Sequence, residues 1–171
     1  TSMALESDDK LYRRRLLRAI LQAWLIVGTL DINAAVFQTL MNGRNPLAML
    51  MFISSGVFGD KAFGGFALYP LLGLLFHYII ALIWTVVFFV LYAQLYERVK
   101  LHHVWIGALY GLMVWTIMTR IVLPLSNTPP VPFRINSAMV GAGIIIVAIG
   151  IPLGLLAHRF FSRQKNMTTE G

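Results

Sequence analysis

The chain has 171 residues, of which 58% are hydrophobic and only 12% charged, and its mean hydropathy is +0.73. Soluble domains carry about 25% charged residues, so this composition excludes an ordinary soluble fold and assigns residues 1–171 to a single integral membrane domain. The net charge of +7 does not point to a nucleic-acid partner, because the basic residues sit at the ends of apolar segments. With no cysteine there can be no disulfide, thiolate metal site, Cys nucleophile or CxxCH haem attachment.

Residues 1–12 are polar and read as frayed. A basic cluster, Arg13, Arg14, Arg15 and Arg18, leads into the first predicted span, 18–41. The first apolar run is too long for a signal-peptide core, so no cleaved leader is expected. Within the span, Gly28, Asp31, Ala35, Gln38 and Asn42 follow steps of three and four and so share one helix face. Asn45 and Pro46 form an N-cap and first-turn pair for a short helix over 46–58. Its apolar stretch is too short to span and reads as interfacial or re-entrant. Ser54, Ser55, Asp60 and Lys61 at its end are candidate ligand or lipid contacts, like the half-helix ends of transporters. The alternative is an amphipathic helix lying on the membrane surface. Phe63-Gly64-Gly65-Phe66 then reads as a flexible link.

The second span, 68–96, contains Pro70–Tyr92, 23 residues without a formal charge. As a helix that stretch covers roughly 34 Å, enough for the ~30 Å core of a bilayer. Gly73, His77, Ala81 and Thr85 make a small and polar seam along it, expected to face the Asp31 side of the first span. The third span, 104–125, carries Gly107 and Gly111 and, near its far end, Arg120. Three prolines within Pro129–Pro132 block helix in the next loop. The fourth span, 136–161, holds Gly141, Gly143, Gly150 and Gly154, with a kink expected at Pro152. The fold class is therefore all-α: a four-span transmembrane bundle with one short helix between spans 1 and 2.

Charge fixes the orientation. Ten basic residues lie on the side of the two chain ends and the 97–103 loop, against Arg44, Lys61 and Arg134 on the other. The positive-inside rule then puts both ends in the cytoplasm, and Trp24, Tyr69, Tyr92, Tyr96 and Trp105 form an aromatic belt.

Four polar side chains fall at membrane depth, all in the outer half: Asp31 roughly 15 Å deep, His77 about 12 Å, Arg120 about 8 Å and Gln38 about 5 Å. A lone carboxylate there costs a few kcal/mol, so Asp31 must be protonated, paired or hydrated. His77 is its expected partner. The pair reads either as a proton relay or polar ligand cavity, or as a contact that fixes helix register. Arg120 either snorkels to the headgroups or closes an outer ion pair with Asp31. Gly107, Gly111, Gly143, Gly150 and Gly154 are assigned to close helix packing. His102, His103 and His158 lie near the cytoplasmic boundary, and the adjacent loop pair His102 and His103 reads as solvated. His77 and His158 differ in depth, so no bis-histidine haem pair is expected. No catalytic set, metal or cofactor is predicted.

Several stretches resemble the YagU-like family of small bacterial inner-membrane proteins: Gly73-Leu74-Leu75-Phe76-His77, Tyr96-Glu97-Arg98-Val99-Lys100-Leu101, Gly107-Ala108-Leu109, and Leu123-Pro124-Leu125 leading to Thr128-Pro129-Pro130. They lie within 73–130, about a third of the chain. The resemblance implies a multi-span protein of the bacterial inner membrane linked to acid tolerance, with no catalytic residue to carry over. Three functions are compatible with the sequence. The first is an accessory or scaffolding subunit, or a homo-oligomer, with the lipid bilayer and partner membrane subunits as its partners. The second is a small transporter or proton relay using Asp31 and His77, and the third a periplasmic-face lipid-binding protein or enzyme.

Overall fold

The computed structural model describes residues 2–169 other than 66 and 133, and all regular structure among them is helical. Helix α1 is Ser2–Met41 and α2 is Pro46–Phe58, followed by a 3-10 turn, Gly59–Phe63. Helix α3 is Leu68–Leu95. Helix α4 runs through His103–Ile117, a π turn at Met118–Val122 and Leu123–Leu125. Helix α5 likewise joins Ile135–Ile145, a π turn at Ile146–Gly150 and Ile151–Thr169. Four of the five, α1, α3, α4 and α5, are long and apolar enough to cross a membrane. Leu71, Leu75, Ile79 and Ile83 form an exposed apolar stripe along α3, as lipid contact requires.

Local chemistry sets the helix ends. Asn45 caps α2 by accepting from the Leu47 N–H at 2.9 Å, with Pro46 at the first helical position. Gly43 and Gly59, with φ of 65° and 59°, make the turns on either side of α2 that a side chain would strain. Residues 126–132 are irregular, as the prolines dictate. Phe66, the last residue of the predicted Phe63–Phe66 link, lies outside the described residues.

Both π turns have the same cause. Pro124 and Pro152 each stand two residues beyond one, and a proline cannot donate to the carbonyl four residues back, while its ring crowds that carbonyl. Those carbonyls belong to Arg120 and Ala148, inside the π turns. The helix widens there and closes with bonds from Leu123 N–H to Met118 O and from Ile151 N–H to Ile146 O. The disturbance expected at Pro152 is thus a widened turn, and Pro124 produces a second one.

The N-terminal residues expected to fray are helical, α1 continuing back to Ser2, and so is the polar C-terminal stretch of α5 as far as Thr169. They support each other there: Tyr12 packs on Phe160 with centroids 6.2 Å apart, and the Arg15 guanidinium reaches Met167 Sδ at 3.2 Å. Asp9 and Arg13 add an i,i+4 ion pair at 2.9 Å. This end also holds the 96–102 loop and is called the basic end below; the other is the α2 end.

The largest cluster of buried side chains lies between the α2 end and the basic end. Phe88, Phe89 and Tyr92 of α3 pack with Tyr110 of α4, Leu153 of α5 and Val27 of α1, all buried. Phe88 meets Tyr110 edge-on at 4.7 Å. The α4–α5 contact depends on glycines. A Cβ on Gly107 would strike the Gly150 carbonyl, one on Gly150 the Gly107 carbonyl, and one on Gly154 the His103 carbonyl. Gly111 faces the backbone of Ile146 and Gly150. Without water to expel, membrane helices associate by such close backbone approach. Gly143 differs: a Cβ there meets no atom within 4 Å, so its assignment to helix packing is corrected.

Candidate functional site

A cavity of about 340 Å³ occupies the α2 half of the bundle. That is within the roughly 300–1,000 Å³ of small-molecule sites. Asp31, Ala35 and Gln38 of α1 line one side, His77 and Trp84 of α3 another, and Met49 and Ile53 of α2 cover its end. Met118 and Thr119 of one π turn and Ile149 of the other complete the wall. Both widened turns therefore border the same hollow. Its remaining lining is apolar.

The polar wall is built by the close approach of α1 and α3. Gly28 leaves no side chain between them; a Cβ would sit 3.0 Å from the Tyr78 ring. The bare carbonyl of Gly28 accepts from His77 Nε2 at 2.9 Å. That acceptor holds the proton on Nε2 and turns Nδ1 toward Asp31 Oδ2, 3.9 Å away. Both side chains are largely enclosed, 11% exposed for His77 and 18% for Asp31. With Nε2 committed, Nδ1 faces the carboxylate at ion-pair distance and not at hydrogen-bond distance. Two further ties hold the helices: Trp24 Nε1 donates to the Tyr78 carbonyl at 2.7 Å, and the Thr29 and Tyr78 hydroxyls meet at 2.9 Å. Trp24 thus points its indole N–H between the helices.

The other sequence candidates fall in different places. Gln38 shares the cavity with Asp31 and His77. Arg120 is exposed on the α4 π turn, and Asp31 lies 3.9 Å from His77. The α3 seam is divided: Gly73 packs against the Leu50 backbone of α2, whereas His77 and Ala81 face α1. Thr85 is buried and donates to the Ala81 carbonyl. Ser54 and Ser55 have no exposed surface, and each hydroxyl donates to a carbonyl one turn back, Met51 at 2.9 Å and Phe52 at 2.6 Å. Their proposed role as ligand or lipid contacts is corrected on that ground. Asp60 and Lys61 are exposed in the 3-10 turn.

The histidines at the basic end are more organised than a solvated loop. His103 stacks on His158 at 4.2 Å with planes 9° apart, and His102 lies 4.0 Å from His103. The Tyr92 hydroxyl and His158 Nδ1 are hydrogen-bonded at 3.1 Å. Among the described residues, no group of three His, Asp or Glu is placed to hold a metal ion.

The fold and cavity define the class: a membrane-embedded helical bundle with an acid–histidine pair lining an internal cavity. No protein-family model, curated protein or solved structure matches the chain.

Proposed function

We propose that this is a multi-pass membrane protein that binds a small, largely apolar molecule in the α2-side cavity and anchors its polar head at Asp31 and His77. The observation that carries this reading is the cavity itself. A pair that served helix register alone would be expected in packed surroundings, and this one faces about 340 Å³ of open volume. Among the described residues, Asp31 is the one carboxylate lining it, and no Lys or Arg does, so the favoured head is cationic or a neutral donor. A cation bound beside Asp31 would compete with His77 for the carboxylate. That competition is what a small cation carrier would use. The buried cluster around Phe88 and Tyr110 lies between the cavity and the basic end, so passage across the bundle would require that cluster to open.

The ten-to-three charge asymmetry supports a cytoplasmic basic end, with α2 toward the outside as an interfacial or re-entrant cover. The resemblance to the YagU-like family favours a bacterial inner membrane and a link to acid tolerance. The accessory or homo-oligomeric reading loses one of its supports, since Gly107 and Gly111 are occupied within the chain by α5.

Melting in nanodiscs tests the reading with hexylamine, hexanol and hexanoate as probes. Hexylamine, and more weakly hexanol, is expected to raise Tm by a few degrees, and hexanoate to leave it unchanged. Asp31→Asn should abolish the preference for the amine. Equal shifts with all three probes, or an unaltered preference in Asp31→Asn, would contradict the assignment.

A further inference from the structure

We infer that the groove between α1 and α5 at the basic end is a binding site for one anionic phospholipid. Two hollows of about 580 and 510 Å³ lie there, and they share Ala19, Gln22, Phe160 and Arg163, so they form one continuous groove. Arg15, Arg18, Arg159 and Arg163 line it, and no described carboxylate does. On the same helix, Asp9 is engaged by Arg13.

The sequence explains why the arginines converge. Arg15 and Arg18 are three apart on α1, Arg159 and Arg163 four apart on α5, so each pair shares a face of its helix. The Tyr12–Phe160 and Arg15–Met167 contacts hold those faces side by side. Four like charges in one groove repel, and a phosphate relieves that repulsion while offering oxygens that guanidinium groups match in bidentate fashion. The groove is also graded. Its arginine end gives way to Leu25, Ile26 and Leu156 on the membrane side. A free phosphate would have no use for that apolar continuation, but an acyl chain would. Basic pockets between membrane helices are known seats of acidic headgroups. This inference rests on the four helices crossing a membrane, but not on the cavity at the α2 end.

The experiment is native mass spectrometry of the full chain with phosphatidylglycerol or phosphatidylcholine, with flotation of reconstituted protein reporting separately on membrane insertion. One tightly held phosphatidylglycerol is expected. Arg18→Gln/Arg163→Gln should weaken it about fivefold for each charge removed, whereas Arg98→Gln/Lys100→Gln, the same charge change at the same end, should leave it in place. Equal loss in both double variants would overturn the site in favour of diffuse charge. Equal binding of phosphatidylcholine, or displacement of the lipid by millimolar inorganic phosphate, would also overturn it. Unchanged melting temperatures in the variants would show that the fold is not the cause.

Discussion

Gly150→Ala is expected to destabilise the bundle by roughly 3 kcal/mol, and Gly143→Ala, seven residues earlier on the same helix, to be neutral or stabilising by up to about 1 kcal/mol. The two substitutions add the same methyl group. At Gly150 it would strike the Gly107 carbonyl and press on Gly111, both backbone atoms that no rotamer change can move. Relief requires α4 and α5 to separate, which loosens Tyr110 and Leu153 in the buried cluster. At Gly143 the methyl enters open space. Denaturation in mixed micelles, followed by circular dichroism, measures both. Equal effects would mean that the glycine-lined α4–α5 contact is wrong.

Asp31→Leu and His77→Phe, made separately, should each cost roughly 3–5 kcal/mol, and together much less than their sum. Each single change leaves the other polar group facing an apolar partner inside the bundle. Loss of His77 also leaves the Gly28 carbonyl without its added donor and Asp31 without a partner. Replacing both removes the need. The double variant also separates structure from function: it should fold, yet lose the hexylamine response. Additive single effects would show that the two groups do not interact. A double variant that still prefers the amine would show that the pair is structural only.

Much of this was legible from residue spacing. Asp31 and His77 could be matched because each was the costly group on an otherwise apolar span, and their depths agreed. The glycine contact was also written in the chain. Helix α4 reads His103-x3-Gly107-x3-Gly111 and α5 reads Gly150-x3-Gly154-x3-His158, the same pattern in opposite directions. Antiparallel packing through the glycines brings the histidines at the ends into a stack, a signal missed by treating His102 and His103 as a loop. The cavity was not legible. It depends on where α2 settles, through Gly73 against Leu50 and Asn127 N–H to the Gly56 carbonyl at 3.1 Å, and neither contact follows from helix periodicity. The π turn before Pro124 was missed because a proline near a span end reads as a stop. Ser54 and Ser55 misled because hydroxyls in a short apolar helix suggest a ligand, while their own preceding turn satisfies them.

The proposed function places a small, largely apolar molecule with its polar head beside Asp31 and His77. Since the chain has no cysteine, Ala35→Cys puts a single thiol on the cavity wall. Its rate of modification by a small cationic methanethiosulfonate, with and without hexylamine, is the most direct measurement. The account predicts modification that is slowed at least severalfold by hexylamine, with the protection lost in Asp31→Asn. A thiol that reacts at the same rate whether or not hexylamine is present would contradict it.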